Sequence, residues 1–373
     1  MLVAAVSWGA EPAQLLVLLG SAPEAWTAVA AQRGWELAPL GEAQAGDDAV
    51  RRIAGAVAEA GKRRAIDPAR TYIAGLGPSA AAAFYAVSRR PDLWTAALAA
   101  GDNIEPAIET NRLFGANAHL IPMLWLVSPQ GQDELQTVRV KLTAKGFDLE
   151  LRATPMTVEQ AFDWLAGHQR YPYPPKIDCE TGSPEFARCY WLEITRFDAA
   201  ARNDVLLSSR IAPGPGAHLA FGPFGFDADA PGPGVVVGWL PPNYSGPLQL
   251  ADRIVSVGGT AIQDGHAYVQ FMAGQKDERG LGVVVERAKK RVRLETRIAL
   301  AKRGEGFTAH ARAEFLMDTR EMLVITRGAT EFRLDLPPFW VPCAINWNGN
   351  DAGRAGSEGC WLVSSGAAAR KCE

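Results

Sequence analysis

The 373-residue sequence contains no run of about 18 apolar residues, so it predicts no transmembrane helix. Its five histidines are widely scattered and its five cysteines show no C-x2-C spacing, which argues against a bound metal ion. A formal net charge of -3 gives no electrostatic reason to expect nucleic acid as a partner. Hydrophobic residues make up 48% of the chain, enough for packed cores. We therefore expect a globular, multidomain protein without a cofactor.

The cysteines and the first residues leave two points open. Cys179 can pair with Cys189, and Cys343 with Cys360, but free thiols in a core account for them equally well. The opening MLVAAVSWGAEPAQ has a short apolar run without a basic segment before it. It predicts either a first strand or the remnant of a processed secretory protein.

The first 168 residues alternate strand and helix patterns. Continuous apolar runs such as LLVLLG (15–20) predict strands that are buried on both faces. The segment DDAVRRIAGAVAEAG places Val50, Ile53 and Val57 on one face of a helix. Repeated β-α units of this kind predict a parallel sheet with helices on both sides.

The composition and the residue pattern of the chain change at YPYPPK (171–176). Proline clusters and short β-rich segments replace the helical patterns, apart from one short helix predicted near His266 to Met272. The basic cluster ERAKKRVRLETR (286–297) alternates with Val292, Leu294 and Thr296, which predicts a hairpin with a solvated face. The second half of the chain is therefore predicted to be mostly β.

One predicted turn in the first half has a sequence pattern similar to that of a catalytic turn. The strand Tyr72–Ala74 runs into Gly75-Leu76-Gly77-Pro78-Ser79 and then into an alanine-rich helix. Serine hydrolases of the α/β type carry their nucleophile in such a turn, in the pattern G-x-S-x-G. Here glycine stands at the central position. Glycine adopts the left-handed conformation of this turn with little steric cost, and Pro78 favours the first helical turn.

The surrounding segment IDPARTYIAGLGPSAAAAFYAVSRRPDLWTAALAAG (66–101) resembles the core of the esterase, polyhydroxyalkanoate-depolymerase and prolyl-peptidase-like branch of α/β hydrolases. The residues that match the pattern of that family are Ile66, Asp67, Arg70, Tyr72, Gly75, Arg90, Pro91 and Asp92. The upstream LLVLLGSAPEAWTAVAAQRGWELAPLG is similar to its strand, oxyanion loop, helix and strand. The resemblance covers about residues 12 to 168 and implies a three-layer α/β-hydrolase fold in a bacterial, periplasmic or secreted protein.

The catalytic positions of that family depart from its pattern one after another. The nucleophile falls on Gly77, and the oxyanion loop, which usually opens with His-Gly, reads Leu19-Gly20. The acid falls near Gly131, with Asp133 as a weak candidate two residues beyond. The base should follow LELRATP, yet the next histidine is His168, after a whole helix. A serine without a base in reach is a weak nucleophile, so the resemblance implies a degenerate hydrolase with no catalytic residues.

Ser79 carries the alternative interpretation. As a shifted nucleophile it would make the protein an active serine esterase or peptidase with a rearranged site. Its hydroxyl is expected instead to cap the helix that begins there. Asp102 and Asn103, at the carboxyl edge of the predicted sheet, can line a residual pocket, although a loop-capping role is expected for them.

A second resemblance lies within residues 213–302. GPLQLADRIVSVGGTAI (246–262) is similar to the A-G-L-x-x-G-D-x-I-x-x-V-x-G-x-x-V run of PDZ domains, with Ala251 where the family usually has glycine. Phe224-Gly225-Phe226 resembles the loop that binds a peptide carboxylate through backbone N–H groups. The implied groove lies between the following strand and the short helix, whose candidate binding residues are His266, Val269 and Gln270. The alternative is that the groove is filled by its own chain.

The flanking segments, 169–212 and 303–373, resemble halves of a β-sandwich-like accessory domain into which the PDZ-like domain is inserted. Its aromatic residues are expected in cores or between domains, with a carbohydrate platform as the alternative; they are Tyr190, Trp191, Phe339, Trp340 and Trp347. The sequence thus predicts a non-catalytic, three-domain binding or scaffold protein that recognises a peptide or protein C terminus or an extended segment. An interaction protein with no open groove is a third possibility.

Overall fold

The computed structural model describes residues 11–21, 24–153, 155–213, 216–222, 224–228, 230–275, 277–300 and 306–372. Residues 1–10, which make up most of the opening where the sequence allows a first strand, lie outside these ranges. The chain forms two compact units: Met1–Ala212 together with Gly306–Glu373, and Pro213–Glu305.

The first part of the chain forms an α/β layer structure. Its strands are β1 Ala13–Leu19, β2 Glu36–Gly41, β3 Ile66–Leu76, β4 Ala96–Ala100, β5 Leu113–Phe114, β6 Met123–Leu126 and β7 Leu149–Arg152. Its helices are α1 Glu24–Arg33, α2 Asp47–Arg63, α3 Ala80–Arg89, α4 Glu105–Glu109, α5 Gln132–Ala144 and α6 Val158–Ala166. Six strands pair in parallel in the order β2-β1-β3-β4-β6-β7, as the β-α pattern predicts.

Helices cover both faces of this sheet. On one face, Val50 and Ile53 of α2 and Phe84 of α3 pack against alternate residues of β1 and β3. On the other face, α1 and α6 pack Trp26 and Phe162 against the intervening residues of the same strands. Because both faces of the sheet are buried, β1 consists of consecutive apolar residues. This continuous apolar run is why the strand could be predicted from the sequence.

The chain then continues with β8 Lys176–Thr181, β9 Arg188–Cys189, β10 Leu192–Phe197 and β11 Arg210–Ile211. The ribbon formed by β11 and β5 joins this segment to the α/β part. The second unit follows, with β12 Ala217–Leu219, β13 Gly225–Phe226, β14 Val235–Trp239, β15 Arg253–Val257, β16 Thr260–Ala261, α7 Gly265–Ala273, β17 Arg279–Arg287 and β18 Lys290–Leu300. Its sheet has the order β12-β18-β17-β15-β14-β13, with β16 on β15. The predicted basic hairpin is β17–β18.

The last segment returns to the first unit with β19 Ala309–Leu316, β20 Glu321–Arg327, β21 Ala329–Leu336, β22 Cys343–Trp347, β23 Asn350–Ala355, β24 Gly359–Ser364 and β25 Arg370–Lys371. Together with β8–β10, these strands form two five-stranded sheets, β23-β22-β20-β19-β8 and β25-β24-β21-β10-β9. All pairs are antiparallel except β20 and β22. The two sheets enclose a common apolar core that includes Ile177, Phe332 and Ile345, and we call this part the sandwich.

The disulfides correct one sequence expectation. Cys179 bonds to Cys189, as one of the two possible pairs, but Cys360 bonds to Cys372 and leaves Cys343 as a free buried thiol. The partner of Cys360 on β24 is Cys372, which directly follows β25, the neighbour of β24, whereas Cys343 lies on β22 in the other sheet.

The sandwich aromatics do not all have the predicted core role. Tyr190, Trp191 and Trp340 are buried in the core, whereas Phe339 is half exposed and packs edge-on against Tyr173 and Trp340 at the rim of the core. Trp347 is half-buried and its ring meets Phe332 edge-on. Among the described residues, no helix is long and apolar enough to cross a bilayer.

Candidate functional site

The turn after β3 lies at the carboxyl edge of the parallel sheet, where the family resemblance places a nucleophile. Gly77 has a φ of +56°, which confirms the left-handed conformation predicted for this position. A Cβ atom built on Gly77 would meet no atom within 4 Å. The turn therefore keeps open the space that a nucleophilic side chain would occupy, but no side chain extends into it.

Close backbone packing holds this turn in place. A Cβ atom at Gly75 would clash with the carbonyl oxygen of Ser79 and would lie 2.9 Å from the Ala83 Cβ. A Cβ atom at Gly101, the residue after β4, would lie 2.6 Å from the carbonyl oxygen of Gly77. Glycine is thus required at both positions because strand ends and turn approach within backbone contact.

The backbone donors expected for an oxyanion hole are also missing or engaged. In this hydrolase turn, one donor is the N–H of the residue after the nucleophile. That residue is Pro78, which has no N–H. In the loop after β1, Gly20 donates its N–H to the carbonyl oxygen of Gly41 at 2.7 Å, which leaves it unavailable to a substrate. The edge therefore has neither of these donors to offer to a developing negative charge.

Ser79 has a different role from the two that the sequence suggested. It is completely buried, and its Oγ accepts a hydrogen bond from the Ala43 N–H at 3.0 Å. The hydroxyl makes no cap bond to α3, so the expected helix-capping role is wrong. Its hydrogen bond instead ties the start of α3 to the loop between β2 and α2, which explains why a polar side chain is tolerated in a buried position.

Carboxylates at this edge stabilise loops. Asp102 accepts hydrogen bonds from the N–H of Ser128 at 2.7 Å and from its Oγ at 2.6 Å, so it joins the loops after β4 and β6. Asn103 accepts from the Glu105 N–H at 3.0 Å. The loop-capping role expected for these two residues is confirmed. Asp133 is exposed in the first turn of α5, a helix that begins where the family resemblance implied an acid-bearing loop.

His168 lies at the opposite edge of the sheet. Helix α6 runs back across the sheet from the carboxyl edge, and His168 follows its end. The carbonyl oxygen of His168 accepts a hydrogen bond from the Tyr72 hydroxyl at 2.9 Å, and its Nδ1 lies 2.8 Å from the Trp164 carbonyl. Burial raises the pKa of Tyr72 to about 12, so its phenol remains a donor at neutral pH. The imidazole is thus remote from Gly77 and Ser79.

Within the described residues, the hydroxyl, the imidazole and the carboxylate named by the sequence lie in three different places. Ser79 is buried beneath the turn, His168 lies at the amino edge, and Asp133 is on the surface of α5. A serine nucleophile requires a base within hydrogen-bond reach and an acid that orients the base. This geometry does not bring those groups together.

In the second unit, the predicted peptide-binding residues lie on neighbouring elements. Gly225 and Phe226 form β13, which within the described residues pairs with β14 alone and so forms an edge strand, and the Phe226 ring packs edge-on against Tyr268 of α7 at 5.3 Å. The helix buries Gly265, Tyr268 and Met272. Its opposite face carries His266, Val269 and Gln270, which are all exposed.

The space between these elements is closed at one end. A Cβ atom on Gly265, the first residue of α7, would lie 2.5 Å from the Cα of Ala228. The chain that follows β13 therefore touches the beginning of the helix, as in the alternative in which the groove is filled by its own chain. Space for a ligand is limited to the part of the groove beside Phe224, Gly225 and Phe226.

The PDZ-like sequence run has a structural explanation. Ala251 has a φ of +66°, a conformation that glycine would adopt more easily. Burial opposes ionisation of the adjacent Asp252, but hydrogen bonds from Arg287 and the Gln249 N–H lower the pKa of its carboxyl below the usual range. This ion pair holds the β14–β15 turn to β17, so these residues stabilise the fold.

Two signals were missed in the sequence. The first is Pro78, directly after the nucleophile position: because proline has no N–H, its presence in the sequence already indicates that one oxyanion donor is missing. The Asn348-Gly349 pair, a typical two-residue hairpin turn, joins β22 to β23 beside a cavity in the sandwich. The remaining residues of that cavity come from distant segments, which no local pattern connects.

No protein-family model matches the chain, and no curated protein sequence is similar to it. Among solved structures, it is similar to a thermostable esterase, with 17% identity and a TM-score of 0.32 over 43% of this chain and 55% of that chain. It is also similar to an α/β hydrolase from Vibrio vulnificus, with 12% identity and a TM-score of 0.27 over 41% of this chain and 70% of that chain. The parallel six-stranded sheet with helices on both faces fits an α/β-hydrolase core, to which further β-rich sheets are added.

Proposed function

We propose that this protein is a non-catalytic α/β-hydrolase homologue that binds a peptide or protein C terminus through its second, PDZ-like unit. The observation that carries the non-catalytic part is the turn after β3. It combines Gly77, which has no side chain, with Pro78, which has no N–H. A serine hydrolase needs both a nucleophile and an oxyanion donor at these positions.

The rival function is a serine esterase or peptidase with Ser79 as its nucleophile. Two features weigh against it: the burial of Ser79, and the use of its Oγ as the acceptor of the Ala43 N–H. A nucleophilic hydroxyl must instead be reachable by substrate and donate to a base.

A fluorophosphonate probe distinguishes these two functions. We expect no labelling of the full-length protein. Ser79→Ala should lower the free energy of unfolding by about 1–2 kcal/mol, because the buried Ala43 N–H loses its partner. Ser88→Ala is the matched control, since Ser88 is a buried serine of the same helix whose Oγ also bonds to the backbone, at Phe114. Labelling that disappears in Ser79→Ala but persists in Ser88→Ala would overturn the proposal.

Restoring the nucleophile gives a second test. Gly77→Ser places a hydroxyl in open space but forces serine into a left-handed conformation, at a cost of about 1 kcal/mol. We expect this variant to stay unlabelled, because Pro78 supplies no donor and His168 lies at the other edge. Labelling of Gly77→Ser would mean that a base and an oxyanion donor are still in place around position 77, and the proposal of a non-catalytic protein would be wrong.

The binding part of the proposal is supported by the exposed edge of β13 and the exposed face of α7. A peptide can add a strand to such an edge while backbone N–H groups receive its terminal carboxylate. The contact between Ala228 and Gly265 leaves room for the last few residues only. We therefore propose recognition of a free C terminus rather than of an internal extended segment.

The measurement is fluorescence anisotropy with a library of labelled peptides, each in a free-acid and an amidated form. Saturable binding of free-acid peptides that is lost on amidation is expected. Val269→Glu should weaken this binding at least tenfold, whereas Val205→Glu, at an exposed valine of the other unit, should have no effect. If no peptide binds saturably, the second unit has only a packing role.

A further inference from the structure

A cavity of about 660 Å³ opens at one end of the sandwich, between its two sheets. The turn from β22 to β23 forms one wall, the loop from β24 to β25 forms another, and the β20–β21 turn contributes Thr326, Ala329 and Thr330. Its volume falls within the range of roughly 300–1,000 Å³ that is typical of small-molecule sites. No residue of this cavity belongs to the hydrolase-like turn or to the PDZ-like unit.

The aromatic wall of the cavity is held in a fixed orientation. Trp347 donates its indole N–H to Thr326 Oγ1 at 2.8 Å, and its ring packs edge-on against Phe332 with centroids 5.0 Å apart. Next to it, Asn348 Oδ1 accepts from the Thr326 N–H at 2.8 Å and from Asn203 Nδ2 at 3.2 Å. A site that is ordered before its ligand arrives loses little conformational entropy on binding.

The polar groups of the cavity are mainly uncharged. Arg202 and Asp351 are the ionisable residues that line it, and their charges cancel. The hydroxyls of Thr330 and Ser365 make no side-chain hydrogen bond within the described part of the chain, so both can bond to a ligand. Asn350 donates to the Asn348 carbonyl at 3.3 Å and retains its amide oxygen as an acceptor.

Small residues keep the opposite wall open. Gly353 and the stretch 366–368, Gly-Ala-Ala, line the cavity without filling it. The Cys360–Cys372 disulfide closes the β24–β25 hairpin that carries this stretch, and the Ala369 N–H donates to the Ala352 carbonyl at 2.8 Å. The wall is therefore fixed by covalent and backbone bonds, so that its side chains can remain small.

We propose that this cavity binds a neutral saccharide unit. A sugar ring offers hydroxyls, which match the hydroxyl and amide groups here, and a face of C–H groups, which packs on an aromatic side chain such as Trp347. The lining holds one guanidinium and one carboxylate and no cluster of like charge, so it favours a neutral ligand over a strongly charged one. A purely apolar ligand would leave the hydroxyl and amide groups without partners.

The test is saturation-transfer NMR on the full-length protein with glucose, galactose, N-acetylglucosamine, maltose and cellobiose. At least one should show saturable transfer, and its affinity should exceed that of glucuronate and glucosamine, which test the requirement for neutrality. Ala368→Trp should block the cavity and lower the affinity at least tenfold. Ala344→Trp, the same change at an exposed residue of β22 outside the cavity, is the matched control.

Each outcome is decisive. Neutral saccharide binding that is lost in Ala368→Trp but retained in Ala344→Trp supports the site. No saturable transfer with any of the five neutral sugars would overturn it, as would binding that Ala368→Trp leaves unchanged. Preferred binding of glucuronate would overturn the neutral class. Asn350→Ala adds a substitution at an exposed side chain and should weaken binding without lowering the melting temperature.

Discussion

The carboxyl edge of the parallel sheet and the open end of the sandwich contrast in what they offer a ligand. The edge has a tight turn with open space above Gly77, but its nearby polar groups are engaged: Ser79 with Ala43, and Asp102 with Ser128. The sandwich end has unengaged hydroxyls and an ordered tryptophan. The two regions therefore differ in whether their polar side chains are engaged within the protein or remain able to contact a ligand.

The two regions also differ in how they are held. Glycines allow backbone segments to touch at the sheet edge, whereas a disulfide and side-chain hydrogen bonds hold the sandwich end. If this difference is real, substitutions should act through steric clash in the first region and through loss of bonds in the second.

The largest effect is expected from Gly75→Ala. Its Cβ would clash with the Ser79 carbonyl oxygen. The clash cannot be relieved by a side-chain rotation, because both atoms are fixed to the backbone where β3 leads into α3. We expect the free energy of unfolding to fall by about 3 kcal/mol, as in overpacked cores. Gly77→Ala is the matched control: its Cβ meets open space, so only the left-handed conformation costs energy, about 1 kcal/mol. Chemical denaturation measures both, and equal effects would contradict the close-packing account.

Local sequence patterns were sufficient for much of the fold. The consecutive apolar residues of β1 and the glycine at position 77 each respond to a requirement within a few residues of chain, namely burial on both faces and a left-handed turn. The parallel sheet and the left-handed turn at Gly77 could therefore be predicted. The hydrogen bond from Ala43 to Ser79 could not, because it depends on how two loops meet across the sheet edge.

The sandwich cavity could not be predicted for the same reason. Its walls come from residues 201–202, 326–330, 347–353 and 364–368, which only the pairing of two sheets brings together. The disulfide shows the same limit. The sequence offered Cys343 as a partner of Cys360, but strand order places Cys372 beside it, at the end of the adjacent strand. Local patterns do not encode which strands become neighbours.

Removal of the Cys360–Cys372 disulfide should have the next largest effect. Replacing both residues with serine frees the hairpin that carries residues 366–368 and should lower stability by about 2 kcal/mol. Saccharide affinity should fall as well, because this hairpin forms one wall of the cavity. Replacing Cys179 and Cys189 with serine is the control, since that disulfide closes a similar span of chain away from the cavity. If both double variants change the affinity equally, the hairpin has no special role.

The smallest effect is expected from the carboxylate of Glu331, beneath the cavity. Hydrogen bonds from the hydroxyls of Ser364 and Thr195, at 2.8 Å and 2.9 Å, lower the pKa of Glu331 below its usual range. Because the folded state prefers the ionised form, this contribution to stability is present above the unfolded pKa of about 4.3 and is lost as the pH falls through the folded pKa. Ser364 lines the cavity, so protonation should also loosen that wall.

Melting temperatures between pH 7 and pH 3 test this expectation. The loss of stability on acidification should be smaller in Glu331→Gln than in the unsubstituted protein, while Glu358→Gln, at an exposed carboxylate, should leave the profile unchanged. Since Glu331 is partly accessible to solvent, the difference should amount to a modest shift in melting temperature. An acid profile unaffected by Glu331→Gln would mean that the hydroxyl bonds to Glu331 do not hold the wall, and that the disulfide alone orders this end of the sandwich.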